Sequence, residues 1–213
     1  MLPALTGVES ARWPSTASCS PTRIPGHERA DRGSGVIVYH IAVTPVADYV
    51  AKREPHRRAH IERLQGLRAA GILLGGGPSP DGRAVDLVYR LQRPEQVKHA
   101  MEEDPYWTGG VWTHYEPRSF AQFVEPWEMV PVVLDGSRPV TIVEGPVVQH
   151  DMAQFALIEM RGAGRLHLGG FFESGQTWAL LKTADADQAR GWFAETGFWS
   201  ADALTTRPFL HVL

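Results

Sequence analysis

Apolar and polar positions divide the chain into an irregular start and a regular remainder. Residues 1–35 are rich in Pro, Ser, Gly, Thr and Arg and show neither a helical nor a strand period, so we predict a disordered N-terminal segment. From Val36 onward, short apolar runs alternate with longer segments of helical period. A further hypothesis is that the native protein starts at Val36, from an alternative start codon.

The segment 36–124 predicts the element order βαββαβ. Strands are expected at 36–43, 72–75, 84–91 and 112–124, and helices at 48–70, with a break near Pro55, and at 94–103. The glycines and prolines of 76–82 predict a turn. This order is the split βαβ of a ferredoxin-like sandwich, an α+β fold whose helices cover one face of a four-stranded antiparallel sheet. The other sheet face needs a partner.

We expect that partner in the same chain, because three short patterns recur in order. Residues 73–77 resemble 166–170, Tyr106-Trp107 resembles Phe198-Trp199, and residues 118–120 resemble 207–209. Their nearly equal spacing predicts an internal duplication. We therefore expect a first copy at 36–124, a linker at 125–139 and a second copy at 140–213, packed as a pseudo-dimer. The second copy predicts strands at 140–143, 165–172, 177–182 and 205–213 and helices at 152–160 and 185–194, and the linker could add a strand at 130–134.

Composition narrows the function classes. The 213 residues are 43% hydrophobic and 21% charged, which is ordinary for a soluble globular protein. A net charge of −3 and the lack of a Lys/Arg run argue against nucleic acid, and no apolar run reaches the roughly 18 residues of a membrane span. The single cysteine, Cys19, excludes an intrachain disulfide and cysteine-based zinc clusters, and suits a cytoplasmic protein.

Two polar residues occupy inward positions on predicted helices. His60 shares an apolar stripe with Leu64 and Leu67, and Asp104 follows Met101 by three positions. Burying both is costly unless they pair or face a cavity. A carboxylate that accepts the proton of one imidazole nitrogen makes the histidine a competent general acid or base. Alternatively, His60 is a core histidine with satisfied hydrogen bonds, and Asp104 is only a turn residue before Pro105.

Other residues offer binding chemistry. Aromatic and histidine side chains crowd the region after Asp104 and could line a pocket for a flat ligand or pack in the core: Tyr106, Trp107, Trp112, His114 and Tyr115. Arg57 could neutralise a phenolate or carboxylate, or lie at the surface. His56 and His60 are four residues apart and could bind zinc with His40, against the alternative that His56 is exposed to solvent. No Lys-Ser/Thr and no helix start follow the glycine run at 75–77, so we do not expect a nucleotide there. We also expect no cofactor.

Three of these features together resemble the YCII (YciI-like) family. They are Arg57-x-x-His60, the Leu-Leu-Gly-Gly-Gly-Pro run that ends at Pro78, and Asp104-Pro105-Tyr106. The resemblance covers about 36–123 well and 140–213 weakly. It implies a dimeric α+β barrel with a His–Asp pair in a pocket, and it carries His60, Asp104 and Arg57 to the family's site. One branch of the family removes chloride from a chlorinated hydroxyquinol, and others accompany oxidative or secondary metabolism.

The second copy departs from this pattern. Aligning the glycine runs places Ala153 at the position of His60, and aligning Trp199 with Trp107 places Thr196 at that of Asp104. We therefore expect one active pocket per chain, with the second copy as lid and scaffold. Alternatively, both copies are binding modules.

The sequence thus predicts an enzyme without cofactor or metal that acts on a small aromatic or quinone-like metabolite. His60 and Asp104 would be catalytic, and Arg57, Tyr106, Trp107 and Trp112 would bind the substrate. Elimination, isomerisation and oxidative tailoring all fit. The alternatives are a non-catalytic binding or accessory protein and a metal-dependent oxygenase using His56 and His60. A homodimer is a further possibility, and neither a nucleic acid nor a membrane is an expected partner.

Overall fold

Two successive sets of strands and helices make up residues 35–213, which are the residues that the computed structural model describes. Each set has the predicted order βαββαβ. The predicted disordered segment, apart from Gly35, and Cys19 lie outside the described residues.

The first set closely follows the predicted pattern. Its elements are β1 (Ile37–Pro45), α1 (Tyr49–Arg53), α2 (Arg57–Ala69), β2 (Leu73–Pro78), β3 (Val85–Leu91), α3 (Gln96–Glu102), α4 (Pro105–Thr108) and β4 (Trp112–Val124). A 3₁₀ turn, Glu54–His56, separates α1 from α2 at Pro55, because proline cannot donate the helical hydrogen bond. The predicted start of a turn at Gly76 is wrong, since Gly76, Gly77 and Pro78 continue β2.

The second set repeats this order. Its elements are β5 (Pro139–Pro146), α5 (His150–Gly162), β6 (Leu166–Phe172), β7 (Gln176–Leu181), α6 (Ala186–Ala194) and β8 (Thr205–Leu210). The possible strand at 130–134 is wrong, because the structure assigns no strand to this segment. Its Val133 amide instead donates a hydrogen bond to the Val212 carbonyl (2.9 Å).

All eight strands form one antiparallel sheet in the order β2-β3-β1-β4-β6-β7-β5-β8. Strands β4 and β6 join the halves. At the other seam, the chain after β8 meets Gly76 of β2. The amides of Val212 and Leu213 donate to the Gly76 carbonyl (3.1 and 3.0 Å), and the Gly76 amide donates to the Leu213 carbonyl (3.2 Å). The sheet therefore closes, which confirms the predicted α+β fold of two ferredoxin-like units forming an intrachain barrel.

Three apolar cores stabilise this arrangement. One lies between the sheet and α1–α4, and a second lies between the sheet and the helices of the second half. The third fills the barrel with side chains from both halves, including Val88, Phe120, Ile142, Trp178 and Phe209. Within the described residues, no helix is both long and apolar enough to cross a membrane.

A charged network also crosses the barrel interior. His40 Nε2 and Asp86 Oδ1 are 2.6 Å apart, and Arg207 donates two hydrogen bonds of 2.6 Å to the same carboxylate. Arg118 donates to Glu144 of β5 (2.9 Å) and contacts His40 (3.1 Å). Burial opposes ionisation of Asp86, but its bonds to Arg207 and His40 lower its pKa to about 2. The network therefore links three strands of the first half to β5 and β8.

Candidate active site

A cavity of about 220 Å³ lies between α1, α2 and the adjoining strands β2 and β3 of the first half. His60 and Leu64 face it from α2, and Val85 and Leu87 face it from β3. The second half and the linker complete the wall with Leu134, Asp135, Leu210 and Val212. Barrel closure is therefore part of what shapes the cavity.

The structure brings His60 and Asp104 together. His60 is the fourth residue of α2, and Asp104 lies directly before α4. The His60 Nδ1 atom is 2.7 Å from Asp104 Oδ1, and the two residues are only 6% and 0% exposed. Asp104 Oδ1 also accepts a hydrogen bond from the Tyr106 amide (2.8 Å), so this carboxylate caps α4 as well as binding the imidazole.

The second oxygen of Asp104 faces a cation. Asp104 Oδ2 is buried without a hydrogen-bond partner in the described structure, and Arg63 Nη1 lies 3.7 Å away. Arg63 also donates to the carbonyls of Ala100 (3.1 Å) and His99 (3.2 Å), which ties α2 to the end of α3. The guanidinium therefore offsets part of the cost of a buried carboxylate. Arg63 follows His60 by three positions, about one helical turn, so its place beside the pair was predictable from the sequence.

Aromatic rings hold the His60 imidazole in place. The Tyr106 ring stacks on it with centroids 3.6 Å apart and planes at 12°, and Trp112 meets it edge-on at 5.2 Å. Burial, followed by the nearby Tyr49, raises the pKa of the Tyr106 hydroxyl well above its usual value, so that hydroxyl stays neutral. With Nδ1 directed at Asp104, Nε2 is the ring nitrogen left for a ligand.

The predicted substrate-binding residues separate into two groups. Arg57, Tyr106 and Trp112 line the cavity together with His60. Trp107 does not line it, and instead packs edge-to-face on Tyr115 with ring centroids 5.1 Å apart. It is oriented away because it follows Tyr106 in α4, where neighbouring side chains point in different directions.

Tyr49 and Arg53 also line the cavity and were not predicted from the sequence. Tyr49 opens α1 and is buried, and the Arg53 guanidinium carbon lies 5.0 Å from the centre of its ring. The helical period continues through the 3₁₀ turn, so spacing from His60 could have indicated Arg53. The predicted break at Pro55 obscured that signal.

The three histidines of the metal alternative do not form one site. His40 is bound to Asp86 inside the barrel, whereas His60 is bound to Asp104 behind the cavity. His56 is half-buried, with its ring against Gly109. Among residues 35–213, no group of three or more His, Cys, Asp or Glu side chains is arranged to hold a metal ion.

The second half lacks the pair, as its sequence predicts. Ala153 is the fourth residue of α5, as His60 is of α2, and it is fully buried. The Thr196 hydroxyl oxygen accepts a hydrogen bond from the Phe198 amide (3.3 Å), which matches the bond from Tyr106 to Asp104. The second half therefore keeps this local hydrogen bond without a carboxylate or an imidazole.

These observations define an antiparallel α+β barrel with a buried His–Asp pair beside a cavity in one half. Residues 37–121 match the model of the YCII-related domain. The first half of the chain therefore carries a YCII-related domain, as the sequence motifs predict. A comparison with curated proteins finds no match.

Solved structures of two proposed monooxygenases share the fold at low sequence identity. A proposed monooxygenase from Lactobacillus acidophilus is 11% identical with a TM-score of 0.57, over 84% of this chain and 95% of that chain. A second proposed monooxygenase, from Fusobacterium nucleatum, is 8% identical with a TM-score of 0.51, over 84% and 93%. A 5-chloro-2-hydroxyhydroquinone dehydrochlorinase from Burkholderia phenoliruptrix, in complex with 2,5-dihydroxybenzoquinone, is 19% identical with a TM-score of 0.34, over 43% and 93%.

Proposed function

We propose that the protein is a small-molecule metabolic enzyme in which His60 and Asp104 perform general acid–base catalysis on an aromatic or quinone-like substrate. The observation that carries this proposal is the 2.7 Å contact between the two buried side chains at the wall of a cavity. A buried histidine with its own carboxylate partner, aimed at a space that fits a small ligand, is an arrangement suited to proton transfer.

In this proposal His60 transfers the proton, and Asp104 orients the His60 ring. Asp104 holds the proton of His60 on Nδ1, which leaves the lone pair of Nε2 for a phenolic O–H or an acidic C–H of the substrate. The imidazolium that forms is stabilised by the carboxylate. Returning the proton to another substrate atom gives isomerisation, and loss of a leaving group with its bonding electrons gives elimination. Oxidative tailoring would require dioxygen as the oxidant.

The cavity walls favour a flat substrate with an anionic oxygen. Tyr106 and Trp112 provide aromatic surface beside the reacting nitrogen, and Leu64, Val85 and Leu87 provide apolar surface. In this proposal Arg57 holds a phenolate or carboxylate oxygen of the substrate. The hydroxyquinone chemistry of one YCII branch is compatible with these walls.

The test is a panel of hydroxybenzoquinones and a chlorinated hydroxyquinol, mixed with the purified chain and followed by absorbance and by proton exchange with D₂O. We expect His60→Gln and Asp104→Asn to lower turnover by about 10²–10⁴-fold. His99→Gln is a matched control, because His99 forms an exposed pair with Glu103 (3.2 Å) outside the cavity. Unchanged turnover in folded His60→Gln protein would rule out acid–base catalysis by this pair.

A non-catalytic binding or accessory protein is the second candidate. One observation favours it, namely that the second half keeps the fold with Ala153 and Thr196 in place of the pair. In that case the panel would show binding without turnover. His60→Gln and Asp104→Asn would then change affinity alone.

A further inference from the structure

Two guanidinium groups lie at one end of the candidate active site. Arg53 ends α1 and Arg57 begins α2, and both line the same cavity as His60 and Leu64. These four residues fall on one helical stripe that continues through the 3₁₀ turn between the helices. The cavity is therefore cationic at the start of the stripe, carries the imidazole in the middle and is apolar beyond it.

Neither guanidinium is fully satisfied within the described part of the chain. Arg57 has no carboxylate there within ion-pairing distance and no side-chain hydrogen bond. Arg53 Nε is buried without a hydrogen-bond partner, and its nearest carboxylate, the largely exposed Glu54, is 3.6 Å away. By contrast, the neighbouring Arg58 points to solvent and binds Glu62 at 2.8 Å. Arg53 also interacts with the Tyr49 side chain, so Arg57 is the less satisfied of the two. Half-buried arginines with few carboxylate partners beside a cavity favour an anionic ligand.

The linker contributes one opposing charge. Asp135 lines the same cavity, is exposed, and accepts a hydrogen bond from the Ser137 amide (2.9 Å). Hydrogen bonds from Ser137 lower the pKa of the Asp135 carboxyl, so it is ionised at neutral pH. Apart from His60, the charged side chains that line the cavity are therefore two cations, Arg53 and Arg57, and one anion, Asp135. The anion lies on the linker between the halves.

We infer that the substrate is an aromatic acid whose carboxylate, or an equally anionic ring oxygen, binds between Arg53 and Arg57 while its ring extends toward His60. Arg53 and Asp135 then set the charge selectivity of the site, Arg53 by attracting the anion and Asp135 by limiting that attraction. The α-helical rise of about 1.5 Å per residue separates Arg57 from His60 by about 4.5 Å along the axis, which suits a single ring. This inference rests on the proposed function and specifies its substrate class.

The test uses isothermal titration calorimetry of the full chain with 4-hydroxybenzoate and its neutral analogue 4-hydroxybenzamide. We expect the anion to bind about tenfold more tightly than the amide. Arg53→Gln should remove most of that preference, and Arg53→Lys should retain much of it. Asp135→Asn should increase the preference, and Arg58→Gln, the matched control on the exposed face, should leave it unchanged.

Several outcomes would overturn the inference. They are equal binding of the two probes by the unmodified chain, no measurable binding of 4-hydroxybenzoate, or a preference that survives in folded Arg53→Gln protein. The proposed function fails separately, because it depends on turnover and on His60. If His60→Gln abolishes turnover but the unmodified chain shows no preference for the anion, the acid–base proposal stands and only the substrate class is rejected.

Discussion

Two buried histidines close to the barrel seam make the stability of the fold dependent on pH. His167 lies on β6 and His211 directly follows β8, and their rings meet edge-to-face at 4.5 Å. They are 8% and 3% exposed, and neither His211 nitrogen has a hydrogen-bond partner in the described structure. Burial is the main cause that lowers their pKa values, to about 4 for His167 and about 3 for His211, and nearby cations such as Arg138 add to it.

Acid lowers the stability of the fold, because the unfolded chain binds protons at these two histidines more readily than the folded chain does. The unfolded chain protonates these histidines near their ordinary pKa of about 6.5, whereas the folded chain leaves both neutral until the pH approaches 4. Stability is therefore complete above pH 7 and falls as the pH decreases through 6.5, levelling off near pH 3. At pH 5 the loss is about 2 kcal/mol for each histidine, because each pH unit below 6.5 contributes about 1.36 kcal/mol. Together, about 4 kcal/mol is a large share of the roughly 5–15 kcal/mol that holds a typical domain folded.

The measurement is urea unfolding at pH 7.5 and pH 5, followed by tryptophan fluorescence. We compare the unmodified chain with the double variant His167→Gln/His211→Gln. The variant should lose up to about 4 kcal/mol less than the unmodified chain between the two pH values, whatever its stability at pH 7.5. Asp86 does not interfere, because its pKa of about 2 lies below this range, and His40 is present in both proteins.

An equal loss of stability in the two proteins would refute the reasoning, since it would mean that the pair titrates alike in the folded and unfolded chains. A gain in stability at pH 5 would refute it as well. The exposed His99 offers a control, and His99→Gln should leave the pH dependence of the unmodified chain intact.

Two further predictions concern the barrel. A Cβ atom at Gly77 would overlap the Leu210 carbonyl oxygen, so Gly77→Ala should lower the free energy of unfolding by about 1–3 kcal/mol. Gly66 on α2 has open space around it, so Gly66→Ala should raise the free energy of unfolding by up to about 1 kcal/mol. Thermal unfolding that ranks the two variants in the opposite order would contradict this prediction. Asp86→Asn removes the charge that pairs with Arg207 and should cost about 3–5 kcal/mol in urea unfolding, and a cost below 1 kcal/mol would show that the network contributes little.

Local pattern was sufficient for most elements of the fold. Strand β4 runs over Trp112–Val124 as predicted, and the helix breaks at Pro55 because of the chemistry of proline itself. The glycine run was misread because Gly76 and Gly77 have the composition of a turn. They continue the strand because the chain after Leu210 pairs with it: Gly76 exchanges hydrogen bonds with Val212 and Leu213, and a side chain at Gly77 would collide with the Leu210 backbone. That constraint comes from a segment more than 130 residues away, and no local pattern reveals it.

Residues of the candidate site were likewise predictable where local spacing decides their position and not where distant segments decide it. His60 and Asp104 each lie on the inward stripe of a short segment, so spacing alone predicted that both are buried, and the structure adds their contact. Asp135 could not be predicted, since it belongs to an irregular linker whose path depends on how the second half closes the barrel. Trp107 illustrates the opposite error, because its aromatic character suggested a pocket residue although its position in α4 directs it to Tyr115.

Asp104 makes two interactions in the first half, a bond to a nearby backbone amide and a contact with His60, and Thr196 in the second half makes only the first kind. In both halves a side-chain oxygen accepts a hydrogen bond from the amide two residues later, Asp104 from Tyr106 (2.8 Å) and Thr196 from Phe198 (3.3 Å). Only the carboxylate, however, can also bind an imidazole, and only α2 carries a histidine at the required position. In the second half, Trp199 instead packs on Phe193 and donates to Thr177 (2.8 Å). The second half therefore keeps this local hydrogen bond without an acid, whereas the acid of the first half also binds the His60 imidazole.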